Sequence, residues 1–246
     1  MPSNGIVIVG AGQGGYQAAA SLREHGYEAP ITIVGDEPAL PYQRPPLSKA
    51  YLLGEMSGDR LQLRPASFYE TRNIDLLMGD SATSIDRVNA RLHLASGSSL
   101  GYDHLVLAIG ARNRLLPVDG AELDSVLYLR TLADSDDIHA RLDVARTIVV
   151  IGAGFIGLEL AAVASKYGKT VHIVEALPRV MSRAVSQPLS DFYAAAHRQW
   201  GSELHLNACL RSIDGKSGQV AGVTLADGRS IAADLVLVGI GIVPNV

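Results

Sequence analysis

Residues 147–157 read Thr-Ile-Val-Val-Ile-Gly-Ala-Gly-Phe-Ile-Gly, and the fold of the chain follows from them. The run 148–151 is apolar without interruption, as a strand buried on both faces of a parallel sheet requires. Gly152, Gly154 and Gly157 then have the G-x-G-x-x-G spacing. Glycines in this spacing supply a tight turn, room for a pyrophosphate against the backbone, and close packing of a helix on the strand.

The residues that follow complete one unit of alternating strand and helix. Residues 155–167 are rich in Ala and Leu and predict a helix that Gly168 ends, with its free N–H groups and positive dipole end facing the phosphates. Residues 171–174 predict the second strand, and Glu175 closes it. A carboxylate there accepts hydrogen bonds from an adenine-side ribose. Strand, glycines, helix, strand and acid, in that order, predict a dinucleotide site.

The same fingerprint occurs near the start of the chain, after the apolar strand 5–9. Its small residues are Gly10, Gly12, Gly14 and Gly15. A helix over 16–25 and a strand over 31–34 follow, and Asp36 or Glu37 takes the ribose position. Asp36 is preferred, because it is nearer the end of the strand.

Both halves continue with a hairpin signal and a closing strand. In the first half the hairpin flanks a Ser-Gly turn over 91–102 and the closing strand is 105–107; in the second the hairpin is 222–231, around Asp-Gly, and the closing strand is 235–237. We therefore predict an α/β fold of two Rossmann-like dinucleotide-binding units, each a parallel sheet with a β-hairpin or meander layer. The predicted domains are 1–112, resumed by 241–246, and 113–240.

Residues 38–72 have no clear counterpart in the second half. Within them, Pro45 and Pro46 impose an extended entry, and residues 47–53 then predict a short helix that carries Lys49. An insertion of this kind is a place to look for chemistry, although Lys49 also fits a surface lysine beside a rigid turn. Further helices are predicted over 134–142 and 187–200.

Composition narrows the function classes. The net charge of -4 argues against nucleic acid as a partner, and no apolar run approaches the length needed to span a bilayer. Cys209 is the sole cysteine, so no disulfide and no Cys-x-x-Cys metal pair is expected, and no metal site is predicted. With a first strand that begins within a few residues of the start and leaves no room for a signal peptide, this favours a cytoplasmic protein.

Several motifs together resemble one family. Besides the two fingerprints they are Arg44-Pro45-Pro46-Leu47-Ser48-Lys49, residues 107–112 (Leu-Ala-Ile-Gly-Ala-Arg), residues 128–132 (Tyr-Leu-Arg-Thr-Leu) and residues 239–245 (Gly-Ile-Gly-Ile-Val-Pro-Asn). The chain resembles the flavoprotein reductases with two dinucleotide-binding domains, and more closely the ferredoxin reductases that serve bacterial haem monooxygenases and ring-hydroxylating dioxygenases.

The resemblance implies that the first unit holds FAD and the second receives NADH. FAD would lie over the first set of glycines with its ribose on Asp36, and Arg44, Lys49, Ala82 and Arg130 would also contact it. Arg130 alone would otherwise be interpreted as a surface ion-pair residue.

The resemblance also implies that Lys49 and Glu159 act as catalytic residues and pair with each other near the nicotinamide. A buried lysine needs such a partner to stay charged. Glu159 would otherwise be a solvent-facing helix residue that complements the dipole.

Glu175 predicts a preference for NADH, since a carboxylate repels a 2′-phosphate. Arg179 could either pair with the 2′-phosphate of NADPH and so weaken this preference, or merely lie over the adenine.

The resemblance implies an FAD-dependent NADH:ferredoxin reductase that delivers electrons singly to a [2Fe-2S] ferredoxin and, through it, to a haem monooxygenase or dioxygenase. A disulfide reductase is disfavoured, because such relatives place two cysteines near the flavin. Alternatives are an NAD-binding module or redox sensor without turnover, and a flavoprotein reductase for rubredoxin or quinone. Similar reductases continue past position 246 with a Gly-Asp motif that holds FAD and an interface domain, so we expect this chain to lack the C-terminal part of the family fold.

Overall fold

The structure is a computed structural model that describes residues 4–246. They form two compact units: the first comprises the residues up to Arg44, Ser57–Ala111 and Pro244–Val246, and the second comprises Pro45–Met56 and Arg112–Val243. The segment Pro45–Met56, which the predicted first domain included, packs with the second unit.

The first unit alternates strands and helices and ends in a meander and a closing strand. Its elements are β1 (Ile6–Val9), α1 (Gln13–Glu24), β2 (Ile31–Gly35), α2 (Gly58–Leu61), α3 (Ala66–Thr71), β3 (Ile74–Met78), β4 (Ala82–Asp86), β5 (Arg91–Leu94), β6 (Ser99–Gly101) and β7 (His104–Leu107). Strands β3-β2-β1-β7 form a parallel sheet in that order, and β4-β5-β6 form an antiparallel sheet.

Alternate residues of β1 enter two different cores, which explains its unbroken apolar run. Ile6 and Ile8 pack with Tyr16 and other residues of α1. Val7 and Val9 pack on the opposite face with Leu92 and Leu94 of the meander strand β5. Because side chains of a strand alternate between faces, a strand between two layers has to be apolar at every position.

The second unit has the same plan. Strand β8 (Ala111–Asn113) lies where the chain passes from the first unit to the second, and β17 (Ile242–Pro244) lies where it passes back to the first. The second unit's elements are β9 (Val126–Tyr128), α4 (Leu132–Val144), β10 (Thr147–Ile151), α5 (Phe155–Lys166), β11 (Thr170–Val174), α6 (Gln187–Gln199), β12 (Glu203–His205), β13 (Leu210–Lys216), β14 (Gln219–Leu225), β15 (Ser230–Ala232) and β16 (Leu235–Val238). Its parallel sheet has the order β12-β11-β10-β16-β9, and β13-β14-β15 form the antiparallel meander.

The predicted fold class is confirmed, with two corrections to its details. The edge strands β3 and β12 were not predicted, and neither was the pairing of β9 with β16. Helix α3 precedes β3 as α6 precedes β12, so the end of the stretch 38–72 does have a counterpart in the second unit.

The predicted helix over 47–53 is wrong. A 3₁₀ helix spans Pro45–Ser48, and Lys49 lies in the turns that follow it. The carbonyl of Pro46 accepts from the N–H of Lys49 (2.9 Å) and from that of Tyr51 (3.1 Å). A single helical bond, from the N–H of Leu53 to the carbonyl of Lys49 (2.9 Å), is not extended into a ladder. Gly54, at φ +70°, then turns the chain away.

Among residues 4–246, no helix is long and apolar enough to cross a membrane.

Candidate functional site

The first glycine turn is shaped by contacts that only glycine permits. Gly10 has φ +112°, a left-handed conformation that side chains disfavour. A Cβ on Gly15 would collide with the carbonyl oxygen of Gly10, so α1 sits directly on the turn. A Cβ on Gly12, in contrast, would meet nothing within 4 Å, and one on Gly14 only the Cβ of Ala108 at 3.8 Å. Gly10 and Gly15 are therefore needed for packing, while Gly12 and Gly14 leave space in front of the helix.

The start of α1 suits an anion. Its N-cap is Gly12, no side chain caps it among the described residues, and no acid occurs in its first turn. By comparison, α4 has a full capping box made by Thr131 and Asp134. The first N–H groups of α1 therefore remain to be satisfied from outside the chain.

A cleft of about 440 Å³ lies beside this turn in the first unit. It brings together three predicted site residues, Gly10, Asp36 and Ala82. Leu107, which is 54 % exposed, also lines it and was not predicted. The open position of Gly12 and the uncapped helix leave room and donors for a phosphate, and Asp36 supplies an acceptor. These residues fit an adenine dinucleotide.

Glu37, the alternative to Asp36, is engaged elsewhere. Its carboxylate pairs with the guanidinium of Arg44 (2.6 Å) and accepts from the hydroxyl of Tyr42 (2.5 Å). The Arg44 guanidinium also lies over the Tyr42 ring, 5.2 Å from its centroid. This arrangement favours Asp36 as the acid available to a ligand.

The second unit repeats the turn. Gly152 has φ +96°, and a Cβ on Gly157 would collide with its carbonyl oxygen. At Gly154, the N-cap of α5, the nearest atom to an added Cβ is the Gly239 oxygen at 3.9 Å. As with α1, no described side chain caps α5 and its first turn carries no acid.

Glu175 lies against this turn. Its carboxylate accepts from the backbone N–H groups of Ala153 (2.7 Å) and Leu177 (2.9 Å). These contacts fix the carboxylate at the end of β11, and each oxygen retains lone pairs for a further donor. A sugar hydroxyl is such a donor.

A cleft of about 670 Å³ in the second unit contains the turn and its acid. Gly152, Gly154 and Glu175 line it, together with Phe155 and Arg183. Phe155 is 56 % exposed, and its position in the lining of the cleft accounts for this exposed apolar side chain. These residues fit a second dinucleotide.

The basic residue at this cleft is Arg183 rather than the predicted Arg179. The guanidinium of Arg179 donates to the carbonyl oxygens of Ser182 (2.7 Å) and Val185 (2.9 Å) and so holds the loop that carries Arg183. Spacing from Glu175 could not identify Arg183, because the loop between β11 and α6 has no periodic pattern.

Lys49 and Glu159 meet within the second unit. The Lys49 Nζ lies 2.6 Å from Glu159 Oε2 and donates to the carbonyl oxygen of Pro45 (3.1 Å). The hydroxyl of Ser48, which was not predicted, donates to the same Glu159 oxygen (2.5 Å). Half of the Lys49 side chain is exposed. The pair is held by its ion pair and by the hydrogen bonds of Ser48 and the Pro45 carbonyl, and not by burial of the lysine.

Arg130 immediately precedes the capping box of α4. Its backbone N–H donates to Asp134 Oδ2 (2.8 Å), and the neighbouring Leu129 lines the second cleft. Its predicted contact with FAD remains a prediction.

Two parallel sheets of one plan, each with a glycine turn under an uncapped helix and an acid at the next strand end, define a protein with two dinucleotide-binding units. Residues 4–246 match the sequence profile of the family described as "Pyridine nucleotide-disulphide oxidoreductase", and the chain belongs to this family.

Known relatives are similar over nearly the whole chain. Rhodocoxin reductase of Rhodococcus erythropolis is 48 % identical over 241 residues, which are 98 % of this chain and 56 % of that protein. Rubredoxin-NAD(+) reductase of Pseudomonas putida is 41 % identical over 240 residues, 98 % of this chain and 62 % of that protein. The crystal structure of the ferredoxin reductase for the CYP199A2 system of Rhodopseudomonas palustris superposes with a TM-score of 0.95 at 45 % identity, covering 99 % of this chain and 60 % of that one. The chain thus spans about 60 % of the length of the proteins it matches.

Proposed function

We propose that this chain contains the two nucleotide-binding units of an FAD-dependent NADH:ferredoxin reductase. The observation that carries the proposal is the pair of separate clefts, each with a glycine turn and an acid. One chain with two such clefts is suited to hold one dinucleotide and exchange another.

FAD is assigned to the first unit. Gly10, Gly12, Gly14 and Gly15 form the turn that would hold its pyrophosphate, Asp36 would accept from its ribose, and Gly10, Asp36 and Ala82 line the same cleft. By resemblance, Arg44, Lys49 and Arg130 also contact it.

NADH is assigned to the second unit. Gly152, Gly154 and Gly157 shape the turn for its pyrophosphate, and Glu175 accepts from the adenine-side ribose. The Glu175 charge disfavours the 2′-phosphate of NADPH. Arg183 moderates that preference, because its positive charge lies at the same cleft.

When bound, FAD supplies a carrier that takes a hydride from NADH and releases electrons one at a time. Lys49 contributes positive charge to stabilise the negative charge that reduction creates. Glu159 orients the lysine by accepting from Lys49 Nζ at 2.6 Å, and the Ser48 hydroxyl holds that carboxylate by donating to the same oxygen at 2.5 Å. Lys49 and Glu159 are the catalytic residues of this proposal.

The proposed acceptor is a [2Fe-2S] ferredoxin that serves a haem monooxygenase or dioxygenase. Its support is the similar crystal structure, which is that of a ferredoxin reductase for the CYP199A2 system. A rubredoxin is the second candidate, since a relative 41 % identical is named for that acceptor. A quinone acceptor or a nucleotide-binding module without turnover has no comparable observation in its favour. We also propose a cytoplasmic location, on the basis of the single cysteine.

An anaerobic NADH titration of the purified chain, followed by its visible spectrum, tests the proposal. We expect a bound flavin that bleaches on addition of NADH. The reduced protein is then mixed with a [2Fe-2S] ferredoxin or a rubredoxin, and faster reoxidation by one of them identifies the acceptor. A colourless protein that binds NADH would instead support the module without turnover.

A further inference from the structure

Two histidines and a glutamate form a cluster at the edge of the second sheet, apart from the residues that line the nucleotide cleft. His172 lies on β11, and Glu203 and His205 lie on the edge strand β12. Neither the proposed reaction nor the glycine turn uses them.

The strand register explains why these three residues meet. His172 pairs with Glu203 and Val174 with His205 in the parallel ladder. Since residues two apart on a strand share a face, Glu203 and His205 both lie on the face of His172. The cluster is therefore set by the backbone of two adjacent strands rather than by a flexible loop.

Each of the three residues offers one ligand atom, and these atoms all lie within 4.8 Å of one another. His172 Nδ1 and His205 Nε2 are 3.2 Å apart, His172 Nδ1 and Glu203 Oε2 3.4 Å, and His205 Nε2 and Glu203 Oε1 3.6 Å. Ligand bonds of about 2.0–2.1 Å in a tetrahedron place the ligand atoms roughly 3.3–3.4 Å apart.

We propose that His172, Glu203 and His205 form a binding site for a divalent transition metal of the Zn²⁺ class. Two imidazoles and one carboxylate are a ligand set that Zn²⁺ accepts with water in the remaining position. The burial supports entry from solvent: the side chains of His205 and His172 are 9 % and 17 % exposed, whereas that of Glu203 is 64 % exposed. The two buried histidines are the ligands held in place by packing, and the exposed glutamate is the third ligand, on the solvent side.

The charge nearest the cluster is compensated. Arg229 Nη1 lies 3.5 Å from His205 Nδ1, the ring atom that points away from the proposed ligand position. The Arg229 guanidinium is paired with Asp227 at 2.8 Å, so its charge is offset locally. The only formal charge in the ligand set is the Glu203 carboxylate, which attracts a cation.

An ion at this position would cross-link β12 to β11. Strand β12 has three residues and a neighbour on one side only within its sheet. A bound ion stabilises the native state in proportion to the logarithm of its concentration over Kd. A bound ion would therefore raise the stability of the second unit. It would also stabilise the strand end that carries Glu175, because the N–H of Glu175 donates to the His205 carbonyl oxygen (2.9 Å).

The test uses the full chain after removal of metal with a chelator. Zn²⁺ is titrated at pH 7.5 against a chromophoric competitor, and Co²⁺ is added separately to read the ligand field in the visible spectrum. We expect one ion per chain and a higher Tm with Zn²⁺. Glu203→Gln and His205→Ala are each expected to weaken Zn²⁺ binding at least tenfold and to remove the Tm shift.

Two variants serve as matched controls. His25→Ala removes an exposed histidine of the first unit, and Cys209→Ser removes the exposed thiol. Both should bind Zn²⁺ as the parent does. Because Glu203 is largely exposed, E203Q should keep the fold even if H205A does not. Equal Zn²⁺ affinity of the parent and E203Q, or loss of binding in C209S, would overturn the proposal.

Discussion

At the residue scale, Glu175 is expected to set the choice between NADH and NADPH. Its carboxylate is fixed by the N–H groups of Ala153 and Leu177 in the second cleft. Glu175→Ala should weaken NADH binding and narrow the NADH:NADPH ratio of kcat/KM by roughly tenfold, since about 1.4 kcal/mol corresponds to that factor.

Arg183→Ala is the companion variant, because that guanidinium is the cation at the same cleft. It should move the ratio in the opposite direction. A ratio unchanged by either variant would show that these charges do not govern the cofactor preference.

The Lys49–Glu159 pair is expected to matter for rate and not for stability. Exposed ion pairs contribute about 0–1 kcal/mol, and half of the Lys49 side chain is exposed. Lys49→Met should slow flavin reduction by NADH in stopped flow by roughly tenfold or more, with FAD content and Tm nearly unchanged.

The pair Lys166–Glu55 provides a matched control, since it also joins Nζ to a carboxylate at 2.6 Å in the second unit. Lys166→Met should leave flavin reduction unaffected. Equal rates in both variants would remove Lys49 from the mechanism.

At the element scale, the glycines of each turn divide into two kinds. Gly157→Ala places a methyl group against the Gly152 carbonyl, so it should destabilise the second unit by about 1–3 kcal/mol in urea unfolding. Gly154→Ala meets only a distant oxygen at 3.9 Å and has an extended, unstrained backbone.

Gly154→Ala should therefore keep its stability and lose NADH affinity, measured by fluorescence titration. The two variants distinguish a glycine needed for packing of the helix, Gly157, from a glycine needed to leave space for the ligand, Gly154. A stable Gly157→Ala, or a Gly154→Ala that binds NADH normally, would contradict this division.

Asp234 caps the start of the strand β10. Its carboxylate accepts from the N–H groups of Thr147 and Arg146 (2.9 Å each), and these bonds hold its pKa below the ordinary value of 3.8. A carboxyl with a lowered folded pKa adds stability above its unfolded pKa and loses it as the pH falls through the folded value.

Asp234→Asn should therefore cost roughly 1 kcal/mol at pH 7, a modest value because the residue is exposed. The difference from the parent in urea unfolding should shrink below about pH 4. A cost independent of pH would show that the carboxylate charge is not the cause.

At the scale of the whole molecule, these 246 residues offer no internal disulfide through which electrons could pass. The family is named for disulphide chemistry, yet the 246 residues contain one cysteine, Cys209, which is exposed at the second cleft. A redox-active pair within this chain cannot form.

Cys209→Ser should therefore retain NADH-dependent reduction of ferricyanide within about twofold, a difference of roughly 0.4 kcal/mol in activation free energy. Loss of that activity, with FAD still bound, would assign the thiol a role in electron transfer.

Features that depend on neighbours along the chain could be predicted from the amino-acid order alone. The fingerprints Gly10–Gly15 and Gly152–Gly157, the helices after them, and the acids at the strand ends follow from local spacing. Buried parallel strands are largely apolar, so β1, β2, β10 and β11 were also predictable, although Thr32 and His172 interrupt β2 and β11.

Features that depend on partners distant in sequence became visible only in the folded chain. The edge strand β12 has only three residues, two of them polar, and becomes a strand by pairing with β11, while β3, interrupted by Asp75, pairs with β2. Arg44 forms an ion pair with Glu37, so Asp36 is the acid that lines the first cleft. Backbone carbonyls bind the guanidinium of Arg179, and Arg183 is the basic residue that lines the second cleft. The same parallel register that forms β12 brings His172 to Glu203 and His205. Pairing between strands far apart in the chain depends on the folded backbone, and no local pattern encodes it.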